Sequence, residues 1–170
     1  MNNETQNNKT DKALGPHSIH VITLEAREAG GAAYNFILFR NALGEDAMAL
    51  YGMPLKRGDD SMTLRAVMDV PQMPYVNLNH MDRVSEIEIF AGTGEEYLQK
   101  LVCATDAIEF INGQNLNYDT SNDNNDSPNS IAHTMVEAMG LEFPEHATRF
   151  WVPGHERVLL PTNWRSKHAS

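Results

Sequence analysis

Apolar and polar residues alternate in short runs along the first ninety residues, and the spacing then becomes helical. His17–Ala26 (HSIHVITLEA) and Ala33–Asn41 (AYNFILFRN) are rich in β-branched and aromatic residues, which suit a half-buried pleated surface. Between them EAGGA (residues 28–32) places two glycines among small residues, a turn signal, so the two runs read as a hairpin. Ser61–Val70 (SMTLRAVMDV) reads as a further strand ending before Pro71. In RVSEIEIFAG (83–92), Val84, Ile87 and Ile89 are set against Glu86 and Glu88. That alternation suits an edge strand or a half-buried one. Residues 42–61 are mixed and fit either a short helix or another hairpin, and PQMPYVNLNHMD (71–82) reads as a loop.

From residue 93 the pattern changes. Tyr97, Leu98, Leu101, Val102, Ala104, Ile108 and Ile111 keep helical spacing, with Thr93 or Thr105 available as a cap and Gly113 as the stop. A run of Ser, Asn and Asp over 121–127 leads to a second helix over 128–139 that stops at Gly140. Ile131, Met135 and Met139 share one face of it. The remainder is loop-rich, punctuated by Pro144, Pro153 and Pro161. Strands followed by helices predict an α+β fold. We expect one domain over residues 15–165, preceded by a disordered or loosely attached tail over 1–14.

Charge narrows the partners. The 170 residues carry 23 acids against 13 bases, a net charge of −10, with no run of Lys or Arg. Nucleic-acid backbones and anionic membranes require clustered cations, so neither is expected as a partner. No apolar stretch approaches the roughly 20 residues of a membrane span. The polar start lacks the apolar core of a secretory signal. The expectation is a protein made in the cytosol, with export only by a machine that reads no cleavable signal. The single cysteine, Cys103, falls among Leu101, Val102 and Ala104 and reads as a small buried hydrophobe, away from any activating helix end.

Candidate chemistry concentrates at Ser127-Pro128-Asn129-Ser130. Ser127 is a good N-cap and Pro128 fits the first helical position. The same geometry would surround a hydroxyl with free backbone N–H groups and the positive end of a helix dipole, which activate a nucleophile and can hold an oxyanion. Helix geometry alone leaves both readings open. The acidic loop does not form a calcium loop: counted from Asp119, the sixth residue is Asn124 and the twelfth is Ser130, where Gly and Glu are needed. His133, His146 and His155 are too scattered for a zinc site. No metal and no cofactor is expected.

Residues 96–140, followed by RFWVPGHERVLLP (149–161), resemble the C-terminal half of small bacterial proteins of the permuted papain-like superfamily (the NlpC-type and lecithin:retinol acyltransferase-like folds). Toxin and effector branches of that group carry Asn-(Cys or Ser)-Asn-Ser at a helix start, a Gly at its end, and a Pro-Gly…Leu-Leu-Pro tail. Asn129-Ser130, Gly140, Pro153-Gly154 and Leu159-Leu160-Pro161 match these in order. The resemblance implies a papain-like fold in circularly permuted order, with the histidine strand and its hairpin partner first and the nucleophile helix late. It implies a hydrolase or acyltransferase acting on an amide or ester bond. Ser130 or Ser127 would be the nucleophile, His20 the base, with His17 as a second choice, and Asn35 the residue that orients it. His155 and Trp151 would contact the substrate: a peptide, a lipid ester or a protein side chain. An immunity or effector protein is the implied partner. The position of the family's nucleophile holds Pro128, which cannot attack anything, so the alternative expectation is a catalytically inactive binding or inhibitory protein on the same fold.

Overall fold

The computed structural model describes residues 14–26, 33–58, 61–70, 81–118, 126–145, 152, 154 and 156–166. Apart from Leu14, the expected tail lies outside the described residues. The chain forms β1 (His17–Ala26), β2 (Ala33–Arg40), β3 (Asp46–Lys56), β4 (Met62–Asp69), β5 (Met81–Gly92), α1 (Gly94–Gly113), β6 (Asn117–Tyr118) and α2 (Pro128–Ala138). It is a mixed α+β protein: a six-stranded sheet in the order β5-β1-β2-β3-β4-β6, with every pair antiparallel, and two helices.

Period-2 alternation divides the sheet into two faces. Ile19 and Val21 of β1, Ile37 and Phe39 of β2, Leu50 of β3 and Leu64 and Ala66 of β4 join Tyr97, Ile111, Ile131 and Met135 of the helices in one core. Ile22, Leu24, Phe36, Leu38, Ala49 and Tyr51 form a second buried cluster on the opposite face. Both helices pack on the first face, α2 over β2 and β3 and α1 against β4 and α2.

The segment left open at 42–61 is mostly strand. Gly52 and Pro54 look like breakers but sit inside β3. β2 pairs only with Asp46–Leu50, so further along β3 is paired by β4 alone, the edge-like setting in which a strand tolerates proline. β5 reaches back to include Met81 and Asp82, the last residues of the expected loop; residues 71–80 lie outside the described ones. Of the edge and half-buried settings that its alternation suits, β5 takes the edge.

Thr93 caps α1 through a reciprocal pair with Glu96, and Thr105 instead bonds back to the Leu101 carbonyl at 2.9 Å. Gly113 is still helical; Gln114 is the C-cap and Asn115, at φ 50°, turns the chain out. Asn tolerates the left-handed region better than most residues, and Asn115 Oδ1 is held by Arg65 at 2.9 Å. Nearby, Asn112 accepts from the Ala66 N–H and donates to the Ala66 carbonyl, both at 2.9 Å. One side-chain amide thus occupies the outer edge of β4, where β6 does not reach. Gly140, at φ 67°, closes α2, with its N–H bonded to the Glu137 carbonyl and that of Leu141 to the Val136 carbonyl. This is the paired bonding of a Schellman cap.

Candidate functional site

The start of α2 is a capping box. Ser127 Oγ accepts from the Ser130 N–H at 3.2 Å, and Ser130 Oγ accepts from the Ser127 N–H at 3.1 Å. Ser130 also donates to the Gly154 carbonyl at 2.9 Å. Its hydroxyl proton is therefore committed to a peptide group, and the residue is fully buried. Thr134 donates to the Ser130 carbonyl and accepts from the Leu159 N–H at 2.9 Å. Arg157 pairs with Asp126 at 2.7 Å. The first turns of α2 thereby fasten the segment that follows it.

Asn129 has a different duty. It is fully buried. Its Oδ1 accepts from the Asn35 N–H at 2.7 Å, and its Nδ2 donates to the Ala33 carbonyl at 3.1 Å. β3 pairs with β2 only from Ile37 onward, so this amide fills the place of the missing strand. Asn35 is completed by Thr23, whose hydroxyl donates to Asn35 Oδ1 at 2.8 Å. Pro128 lies against β3 at Gly52, where a Cβ would stand 2.5 Å from the Pro128 Cα and 2.9 Å from Ile131 Cγ1. Gly52→Ala is expected to lower stability by about 2 kcal/mol or more, because backbone must move to admit one methyl group. A urea midpoint equal to that of the unsubstituted protein would contradict this contact.

The residues the resemblance grouped together are not together. Ser127, Ser130 and Asn35 lie on the helix-covered face. His20 alternates with Ile19 and Val21 and stands opposite Leu38, a member of the other cluster. The sheet therefore separates His20 from both serines and from Asn35. His17 faces the helices and packs on Tyr97, with ring centroids 4.7 Å apart. His133 stacks on Phe143 at 4.9 Å. Cys103 is buried in α1, as its apolar neighbours suggested. Trp151 and His155 lie outside the described residues.

On its own face His20 has different company. Ser18 Oγ is 2.9 Å from His20 Nε2. His20 Nδ1 lies 3.2 Å from Glu86 Oε1, off the direction of a good hydrogen bond, so this nitrogen is buried without a well-formed one. Glu86 is gripped by Arg40 and Arg83, and Arg40 also pairs with Asp46 at 2.7 Å. Burial, and then the Arg40 charge, lower the His20 pKa from its ordinary 6.5 against the pull of Glu86 and Glu88. Both influences favour the neutral form of the ring. Ser18 and His20 are only 8 % and 7 % exposed, yet Ser18 faces Ala91 of β5 in register, an exposed residue with only a methyl group to shield it. A hydroxyl on a neutral imidazole, with a carboxylate behind the ring, is the spatial form of an activated nucleophile. Among the described residues no group of three His, Cys, Asp or Glu is placed to hold a metal ion.

No family model, curated protein or solved structure matches this chain. The site is therefore read from its geometry alone.

Ser18, Glu86 and Arg40 are the residues that reading the sequence missed. The signal was present: Ser18 and His20 are two apart in a strand, which places them on one face, and Glu86 and Glu88 were already visible as the polar side of β5. What the sequence lacked was the β1–β5 pairing, which sets His20 opposite Glu88 and Ile22 opposite Glu86.

Proposed function

We propose that the protein is a hydrolase or acyltransferase acting on an amide or ester bond, with Ser18 as nucleophile, His20 as base and Glu86 orienting the ring. The observation that carries this reading is the 2.9 Å contact between Ser18 Oγ and His20 Nε2. Ser18 Oγ attacks the carbonyl carbon and its proton passes to Nε2. The same proton then goes to the leaving group, and an acyl ester remains on Ser18. Water, or a second acceptor, attacks that ester with His20 again taking the proton. Arg40 stands opposite Ser18 in the β1–β2 register and, paired with Asp46 and Glu86, steadies the carboxylate behind the ring. The loose Nδ1–Glu86 contact suits a site without substrate, since such bonds often tighten only when substrate is bound.

A permuted papain-like plan belongs to the same proposal, supported by a strand hairpin that comes first and a capped helix that comes late. Its usual reactive position would be Pro128, so the reaction is assigned to the other face. The second reading, a non-catalytic binding or inhibitory protein, is favoured by the structural use of every polar group described at the start of α2.

A fluorophosphonate probe followed by peptide mapping tests the choice. Labelling on Ser18, absent in Ser18→Ala and retained in Ser130→Ala, is the expected outcome. Labelling confined to Ser127 or Ser130 would overturn the assignment, and no labelling would favour the binding reading.

A further inference from the structure

Glu86 and Glu88 point to the same side of β5, but their surroundings differ. Glu86 is held by two guanidinium groups, so its charge is matched. The Glu88 side chain is 55 % exposed, and among the described residues its charged contact is His20 Nε2, at 4.0 Å. It stands opposite His20 in the β1–β5 register. A carboxylate with no Lys or Arg partner among the described residues thus sits beside the ring nitrogen that faces Ser18.

We propose that Glu88 is a specificity residue that recognises a positively charged group next to the scissile bond, so that the substrate class is esters or amides bearing a lysine-, arginine- or quaternary-ammonium-like cation. This rests on the reading of Ser18 as the nucleophile. The local charges agree with it. Asp46, Glu86 and Glu88 outnumber Arg40 and Arg83 around the pair. Both arginines already face carboxylates, so an anionic substrate would meet unfavourable charge. The net charge of −10 adds a long-range field that draws cations in.

The test compares two fluorophosphonate probes of the same shape, one ending in trimethylammonium and the other in a neutral tert-butyl group. Labelling rates at Ser18 are measured on the full chain and on Glu88→Gln and Glu88→Lys. Glu88 is on an edge strand and largely exposed, so both variants are expected to fold. The cationic probe should label the unsubstituted protein roughly tenfold faster or more, an advantage that shrinks with added salt. Glu88→Gln should bring the ratio close to one, and Glu88→Lys should invert it. An unchanged ratio in both variants overturns the role of Glu88 while leaving Ser18 as the nucleophile. Failure of either probe to label any of the three proteins overturns the Ser18 reading itself, and this inference with it.

Discussion

Alanine at Ser18 or at His20 is expected to lower kcat/KM on an activated ester by about ten thousand- to a million-fold, and alanine at both by no more than the larger single effect. In the proposed mechanism the two side chains act as a unit: without the ring the hydroxyl keeps its proton, and without the hydroxyl the ring has nothing to activate. Two independent binding contacts would instead give losses that multiply. Glu86→Gln should cost less than either, because it leaves nucleophile and base in place. The Ser18→Ala protein should still fold, at a cost of about 1–3 kcal/mol for the buried hydrogen bond that is lost. The pH profile gives a separate check. In the proposed mechanism the neutral ring is the active form, so the rate should fall as pH drops through the His20 pKa. Burial and Arg40 lower that pKa, so the midpoint of the acid limb should lie below pH 6.5, with a flat rate at neutrality. A midpoint above 6.5, or single-alanine losses that multiply in the double variant, would remove His20 from the role of base.

The largest effect on stability is expected at Asn129. Asn129→Ala should cost about 3–5 kcal/mol in urea denaturation. It strips partners from the Asn35 N–H and the Ala33 carbonyl in a dry site, each worth about 1–3 kcal/mol when left unmade, and it opens a void. Asn129→Leu separates the two causes: it fills the void but restores neither bond, so it should remain severely destabilised. Loss of less than about 1 kcal/mol in the alanine variant would mean that the amide does not hold β2. Both proteins, where folded, should keep their Ser18 chemistry, because Asn129 acts on the opposite face of the sheet.

Most of the fold could be read from local pattern. The hairpin of β1 and β2, the edge character of β5, the two helices, the cap at Ser127 and the stop at Gly140 all rest on residues close together in sequence. Where the pattern misled, longer-range contacts decided. Gly52 is required by the approach of Pro128, more than seventy positions later, and without that contact it looks like a turn residue. Asn115 ends α1 in place of Gly113 with the help of Arg65 from β4. The candidate site was legible in part. His20 and Glu86 stood out as residues, but which serine belongs to His20 depends on the face it occupies. Face follows from register within β1, and register is set by β2 and β5. The resemblance to permuted papain-like proteins places a nucleophile on α2, where every polar group described has a structural use.

Asn129 also determines when the molecule can be completed. The edge of β2 that it satisfies is made within the first thirty-five residues, yet its partner is ninety-four positions further on. β1 likewise waits for β5 on its other side. During synthesis the first hairpin must therefore leave the ribosome with the outer edge of β1 and the Ala33–Asn35 part of β2 open, and such edges pair readily with the wrong chain. Contacts of this span slow folding. The chain should reach its native state only after Asn129 has been released, so a version ending before residue 129 would be expected to aggregate or to remain bound to chaperones.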